Sequence, residues 1–179
     1  MSKHLEIDRL QSPEDVFTTL SHDEILSVWV EARQIIRSCP GWVKPVDADH
    51  IPGLIKDGIK EWSQKSPTDS WNFLQKAAAS ENPEHRALVV ETLPNITDQF
   101  PQEAIQLYGQ LLNDNNPEVR GQAAVGFIES LLIIREGIPQ TYNEMFKMDY
   151  TANPESRAKL KELTDTASEI LFEPPSAIE

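Results

Sequence analysis

The pentad Asn-Pro-Glu-x-Arg occurs three times, at Asn82 to Arg86, Asn116 to Arg120 and Asn153 to Arg157, with starts 34 and 37 residues apart. Recurrence at that period marks arrays of stacked helix pairs, since each unit alone cannot bury its apolar face. Each copy also specifies a helix start. Asn82, Asn116 and Asn153 are N-cap residues whose side chains accept from first-turn amides, and Pro83, Pro117 and Pro154 follow where a missing N–H is no loss. Glu84, Glu118 and Glu155 then place a negative charge against the positive end of the helix dipole. Ser12-Pro13-Glu14-Asp15 and Ser66-Pro67-Thr68-Asp69 repeat the pattern with Ser as the cap.

Between these starts apolar residues recur at spacings of three and four, which predicts helices throughout. Ala104, Ile105, Tyr108, Leu111 and Leu112 form one stripe. A wider one, Val119, Ala123, Ala124, Phe127, Ile128, Leu131 and Leu132, implies a helix central to its fold. The expected pairs are Pro67–Ser80 on Pro83–Ile96, Pro101–Leu112 on Pro117–Arg135, and Ile138–Met148 on Pro154–Phe172. Pro94 should end or kink the helix that contains it. In the N-terminal third, helices are expected at His22–Ser38, capped by Ser21, and at Asp49–Gln64. Pro40, Gly41 and Pro45 make Cys39–Asp47 irregular, and the tail at 173–179 is expected to be disordered. No run alternates with period two and no Asn-Gly or Asp-Gly hairpin turn joins two such runs, so strand content should be near zero.

The segment NPEVRGQAAVGFIESLL resembles the second helix of a HEAT repeat, through Asn116, Pro117, Val119, Arg120, Ala123, Ala124 and Phe127. The copy at Asn82 keeps Pro83, Arg86, Val89, Val90 and Leu93 but has His85 where that family prefers Val. The copy at Asn153 keeps Pro154, Arg157 and Leu160, then departs at Lys161 and Thr164. The resemblance implies an all-α fold, an α-α superhelix: a short α-solenoid of HEAT-like antiparallel helix pairs over residues 66–172. Residues 1–65 would be an atypical N-terminal helical cap of the same domain. It also implies that each recurrent Arg bridges to a neighbouring repeat, making Asn82, Arg86, Asn116, Arg120, Asn153 and Arg157 a structural ladder. A tetratricopeptide array has a similar period and EAIQLYGQLL resembles its second helix, but Gly and Ala do not fall at its small-residue packing positions.

Charge narrows the partners. Lys and Arg number 16 against 29 Asp and Glu, a net charge of −13, which argues against general binding to nucleic acid or anionic lipid. Residues 66–172 carry 16 acids and 8 bases, and no Lys or Arg occurs from Ala87 through Val119. The single Cys39 cannot form an internal disulfide, and the opening MSKHLEIDRL is too charged for a signal peptide. Together these predict a cytoplasmic protein with no membrane span.

Catalytic patterns are weak. His22-Asp23-Glu24 reads as a helix start, since consecutive helix residues diverge. Asp47, Asp49 and His50 lie near one another but lack the spacing of a metal motif, and Cys39 has no evident base. No glycine-rich phosphate loop occurs, so neither a cofactor nor enzymatic activity is expected. Two features point to a protein partner. Glu91, Asp98, Glu103 and Asp114 form either a solvated face or a surface that steers a basic partner. Trp42, in the Pro/Gly loop, is a natural binding anchor, whereas Trp29, Trp62 and Trp71 fall on helix stripes. The expected function is a non-catalytic scaffold or adaptor for a protein with a basic surface. The alternatives are an inhibitor or immunity-type protein for a basic toxin or nucleic-acid-binding protein, and a bilin lyase or chaperone of the HEAT-like superfamily.

Overall fold

A computed structural model describes residues 12–38, 46–136 and 154–172, and these are all-α, with no strand among them. The helices are α1 (Pro13–Thr19), α2 (His22–Ser38), α3 (Val46–Lys65), α4 (Pro67–Ala78), α5 (Pro83–Thr92), α6 (Pro101–Leu111), α7 (Pro117–Glu136) and α8 (Pro154–Phe172). Cys39, Trp42, Asn153, the helix expected at 138–148 and the tail at 173–179 lie outside the described residues, as does the side chain of Arg157.

The capping residues act largely as their chemistry predicts. Ser12 and Asp15 form a reciprocal capping box, the Ser12 N–H donating to Asp15 Oδ2 at 2.8 Å. Ser21 and Glu24 do the same ahead of α2. The Asn82 side chain accepts from the Glu84 N–H at 3.0 Å, and that of Asn116 from Glu118 and Val119 at 2.9 and 3.2 Å. Ser66 is the exception: its backbone has left the extended region, at ψ 72°, and its hydroxyl makes no cap bond. The helix expected from Asp49 begins three residues earlier, which places Pro52 inside α3. As Pro94 requires, α5 stops at Thr92 and tightens into a 3₁₀ turn over Leu93–Asn95.

The chain divides into two compact units, 1–95 and 96–179. Helices α4 and α5 fall in the first of these units, with α1 to α3. In the first unit, α1 and α2 pack on α3, and α4 and α5 pack on each other and on α3. Its core comprises Val16, Ile25, Trp29, Ile55, Ile59, Phe73, Leu74 and Leu88, all buried. Helix α5 is closely enclosed, with Arg86 to Val90 and Thr92 buried around much of its girth.

In the second unit, α7 packs on α6 and α8, and α8 also meets α6. Leu111, Leu112, Val119, Ala123, Ala124, Phe127, Leu160, Leu163 and Ala167 form its core. The opposite side of α7 is open: Val125 is 45% exposed, and Glu118 and Glu129 are exposed too. So α7 is not enclosed on all sides, although its apolar residues suggested a central helix. A buried hydroxyl cluster ties α6 to α7, with the Tyr108 hydroxyl 3.0 Å from the Gly126 carbonyl and 2.7 Å from Ser130 Oγ. Thr97 donates to Ser130 at 3.4 Å. Burial raises the Tyr108 phenol well above its ordinary value, with Ser130 and Thr97 acting in the opposite direction.

Candidate functional site

Arg86 and Arg120 brace loops. Arg86 donates to the carbonyls of Ser80 and Glu81 at 2.7 and 3.0 Å, and Arg120 to those of Asp114 and Asn115 at 2.7 and 3.2 Å. In both copies these bonds run to the turn before the arginine's own helix. The reason is geometric: a helical side chain leans toward the N-terminus, so an Arg one turn into the helix reaches back over the entering loop. In the copies at Asn82 and Asn116 the pentad is thus a turn-closing device, with Asn capping the amides and Arg holding the carbonyls.

The four acids singled out by the sequence fall into different settings. Glu91 faces cations from two other helices: Arg33 of α2 donates to its Oε1, and Lys56 Nζ of α3 stands 3.5 Å from its Oε2. Glu84, seven residues earlier on α5, receives Arg33 Nε at 2.9 Å and an N–H of Arg37. Trp29, Arg33 and Arg37 recur every four residues, so α2 presents one stripe to α5. The Trp29 indole donates to the Glu84 carbonyl at 2.9 Å, and the Arg33 guanidinium lies 5.5 Å from the Trp29 ring centroid. Glu91 is therefore one link in an alternating chain, Arg37–Glu84–Arg33–Glu91–Lys56, that joins three helices.

Asp114 is half-buried, and its carboxylate accepts from the Asn116 N–H at 2.8 Å, shaping the turn into α7. Asp98 and Glu103 are exposed, the latter in the first turn of α6. Two acids on α7 belong with them. Glu118, Val125 and Glu129 are separated by seven and four residues and share one stripe of the helix, about 16 Å from end to end at 1.5 Å per residue. Glu129 lies beyond the Lys- and Arg-free stretch, so the charge pattern along the chain does not single it out, although its spacing from Glu118 is readable. From Ile96 to Ser130 the only base is Arg120, whose guanidinium holds its loop.

The aromatic residues on helix stripes are packed. Trp29 is fully buried, and Trp62 stacks on Phe17 with centroids 4.5 Å apart. His22 adjoins Trp62 and Phe73 at 5.1 Å each, so its ring rests on an aromatic cluster. Among the described residues no group of three or more His, Cys, Asp or Glu is arranged to hold a metal ion, and no helix is long and apolar enough to cross a membrane. No family model, curated protein or solved structure matches the chain.

Proposed function

We propose that this protein is a non-catalytic helical scaffold or adaptor whose second unit receives a basic protein surface. The observation that carries the reading is the open stripe of α7, on which the carboxylates of Glu118 and Glu129 flank Val125. Asp98 and Glu103 add exposed negative charge to the same unit. An apolar side chain between two acids suits a partner that offers an aliphatic residue between Lys or Arg side chains. A helical partner would carry those cations about eleven residues apart to match the spacing. Stacking of further helix pairs in the HEAT-like manner belongs to this proposal and would extend the surface.

The test uses polylysine as a generic basic probe and a variant with Asp98, Glu103, Glu118 and Glu129 changed to amides. Wild type should associate faster at low than at high ionic strength, and the variant should associate slowly with a flattened salt response, because rim charges act mainly on encounter. Val125→Ser should leave the association rate unchanged while speeding dissociation of a basic amphipathic peptide. Equal association rates and salt slopes for wild type and the amide variant would return the acids to the role of a solvated face.

A further inference from the structure

Helix α7 carries a glycine in its interior, where Gly is weaker than Ala, and its own fold supplies no reason for one. Two other helical glycines are explained by packing. A Cβ at Gly58 would lie 2.7 Å from the Pro13 carbonyl, and one at Gly109 would touch Leu163 Cδ2 of α8 at 3.5 Å. At Gly121 a Cβ would meet nothing within 4 Å, and no described glycine has a positive φ. Gly121 follows Glu118 by three residues and precedes Val125 by four, with Gln122 beside it. Four residues so spaced are the corners of a hole that accepts one side chain from a facing helix. Glycine at one corner deepens the hole by a methyl group and lets a second backbone come close. Two further corners are exposed, Glu118 and Val125. At the fourth, Gln122 Nε2 donates to Glu118 at 3.4 Å while Oε1 is closed off with no hydrogen-bond partner, so the amide gains by turning toward an incoming donor.

We propose that an α-helix of a basic partner protein seats one aliphatic side chain, Leu or Met, in the hole Glu118–Gly121–Gln122–Val125, with Lys or Arg on either side reaching Glu118 and Glu129. This rests on the reading of α7 as the docking face and adds the register and the reason for Gly121. Charge complementarity selects the occupant, since exposed carboxylates stand at both ends of the stripe and the nearest base, Arg120, is bound to its own loop. The seated side chain falls about four residues from the cation that meets Glu118 and about seven from the one that meets Glu129. Both intervals return to the same face of a helix, so one stripe of one helix can carry all three groups. Gly53 also has room for a Cβ, but no exposed large apolar side chain lies beside it among the described residues, which makes it a control.

The probe is a synthetic helical peptide of Ala and Gln with two Lys about eleven residues apart and one Leu about four residues from one of them. It is titrated into the full chain and followed by amide chemical shifts. In wild type the shifts should cluster at residues 118–129, and replacing the peptide's Leu by Ala should weaken binding roughly tenfold. Gly121→Ala should raise resistance to urea, read by circular dichroism, yet weaken the peptide roughly fivefold or more, because the added methyl fills the hole. Gly53→Ala should raise resistance to urea and leave binding unchanged. A Gly121→Ala variant that takes the peptide as wild type does, or shifts that centre outside residues 118–129, would overturn the seat. In either case the polylysine assay decides the docking face separately: it stands if the amide variant associates slowly and falls if it does not.

Discussion

Two glycines on α3 test how α1 is seated, because the same substitution should have opposite effects five residues apart. A Cβ at Gly53 would meet nothing within 4 Å, whereas at Gly58 it would lie 2.7 Å from the Pro13 carbonyl oxygen and 3.0 and 3.3 Å from Phe17 Cε2 and Cδ2. Replacing a helical Gly by Ala gains about 1 kcal/mol through backbone entropy and propensity. Gly53→Ala should realise most of that gain. At Gly58 the same gain is set against overpacking of about 1–3 kcal/mol, because the nearest atom is backbone and cannot swing aside. Any shift of α1 also disturbs the stack of Phe17 on Trp62. The two variants should therefore differ by roughly 1–3 kcal/mol, and each kcal/mol moves Tm by about 2–4 °C in a chain of this size. All four tryptophans precede residue 72, so fluorescence-monitored urea and thermal unfolding report the first unit. Equal stabilisation by both substitutions would mean that α1 does not rest on α3 at Gly58.

Glu91→Gln should lower the stability of the first unit by about 1 kcal/mol, since a network of ion pairs contributes more than one isolated exposed pair, and should leave association with polylysine unchanged. Glu103→Gln and Glu129→Gln should do the reverse, which urea titration together with stopped-flow mixing would establish. Arg86→Ala should cost about 2–3 kcal/mol and Arg120→Ala about 1 kcal/mol in chemical denaturation, because Arg86 is 8% exposed whereas Arg120 is only half-buried. The Tyr108 phenol ionises less readily in the folded chain than in the unfolded one. Its contribution is thus complete below pH 10 and is lost as the pH rises further. Tyr108→Phe should cost about 1 kcal/mol at neutral pH and blunt that alkaline loss, as read by circular dichroism.

Much of the helical layout was legible because its signals are local. Pro and Asn or Ser at a helix start act through backbone geometry and the nearest amides, and Pro94 forces a stop that needs no tertiary information. His22–Ser38 and Pro154–Phe172 have the expected bounds. Ser66 escaped because a cap bond depends on the φ and ψ of the residue that makes it. The roles of the acids were harder to read, since charge along the chain is silent about what approaches from elsewhere. Glu91 sits in a stretch without bases, yet its partners come from 58 and 35 residues upstream. The reach of Arg86 and Arg120 to the preceding turn, by contrast, follows from the tilt of helical side chains.

The alternating chain Arg37–Glu84–Arg33–Glu91–Lys56 has three cations and two anions, so each anion separates a pair of like charges. Deleting an end cation merely shortens it, whereas neutralising either carboxylate leaves guanidinium facing guanidinium or ammonium across a gap meant for an acid. The cost of change is therefore uneven along the chain, and least at Arg37, the most exposed member. In a lineage of such proteins, substitutions at Glu84 and Glu91 would survive mainly in company with a compensating change at Arg33. Positions distant in sequence but joined by this chain should then vary together, and a set of diverged relatives would display that pairing as correlated charge reversals among α2, α3 and α5.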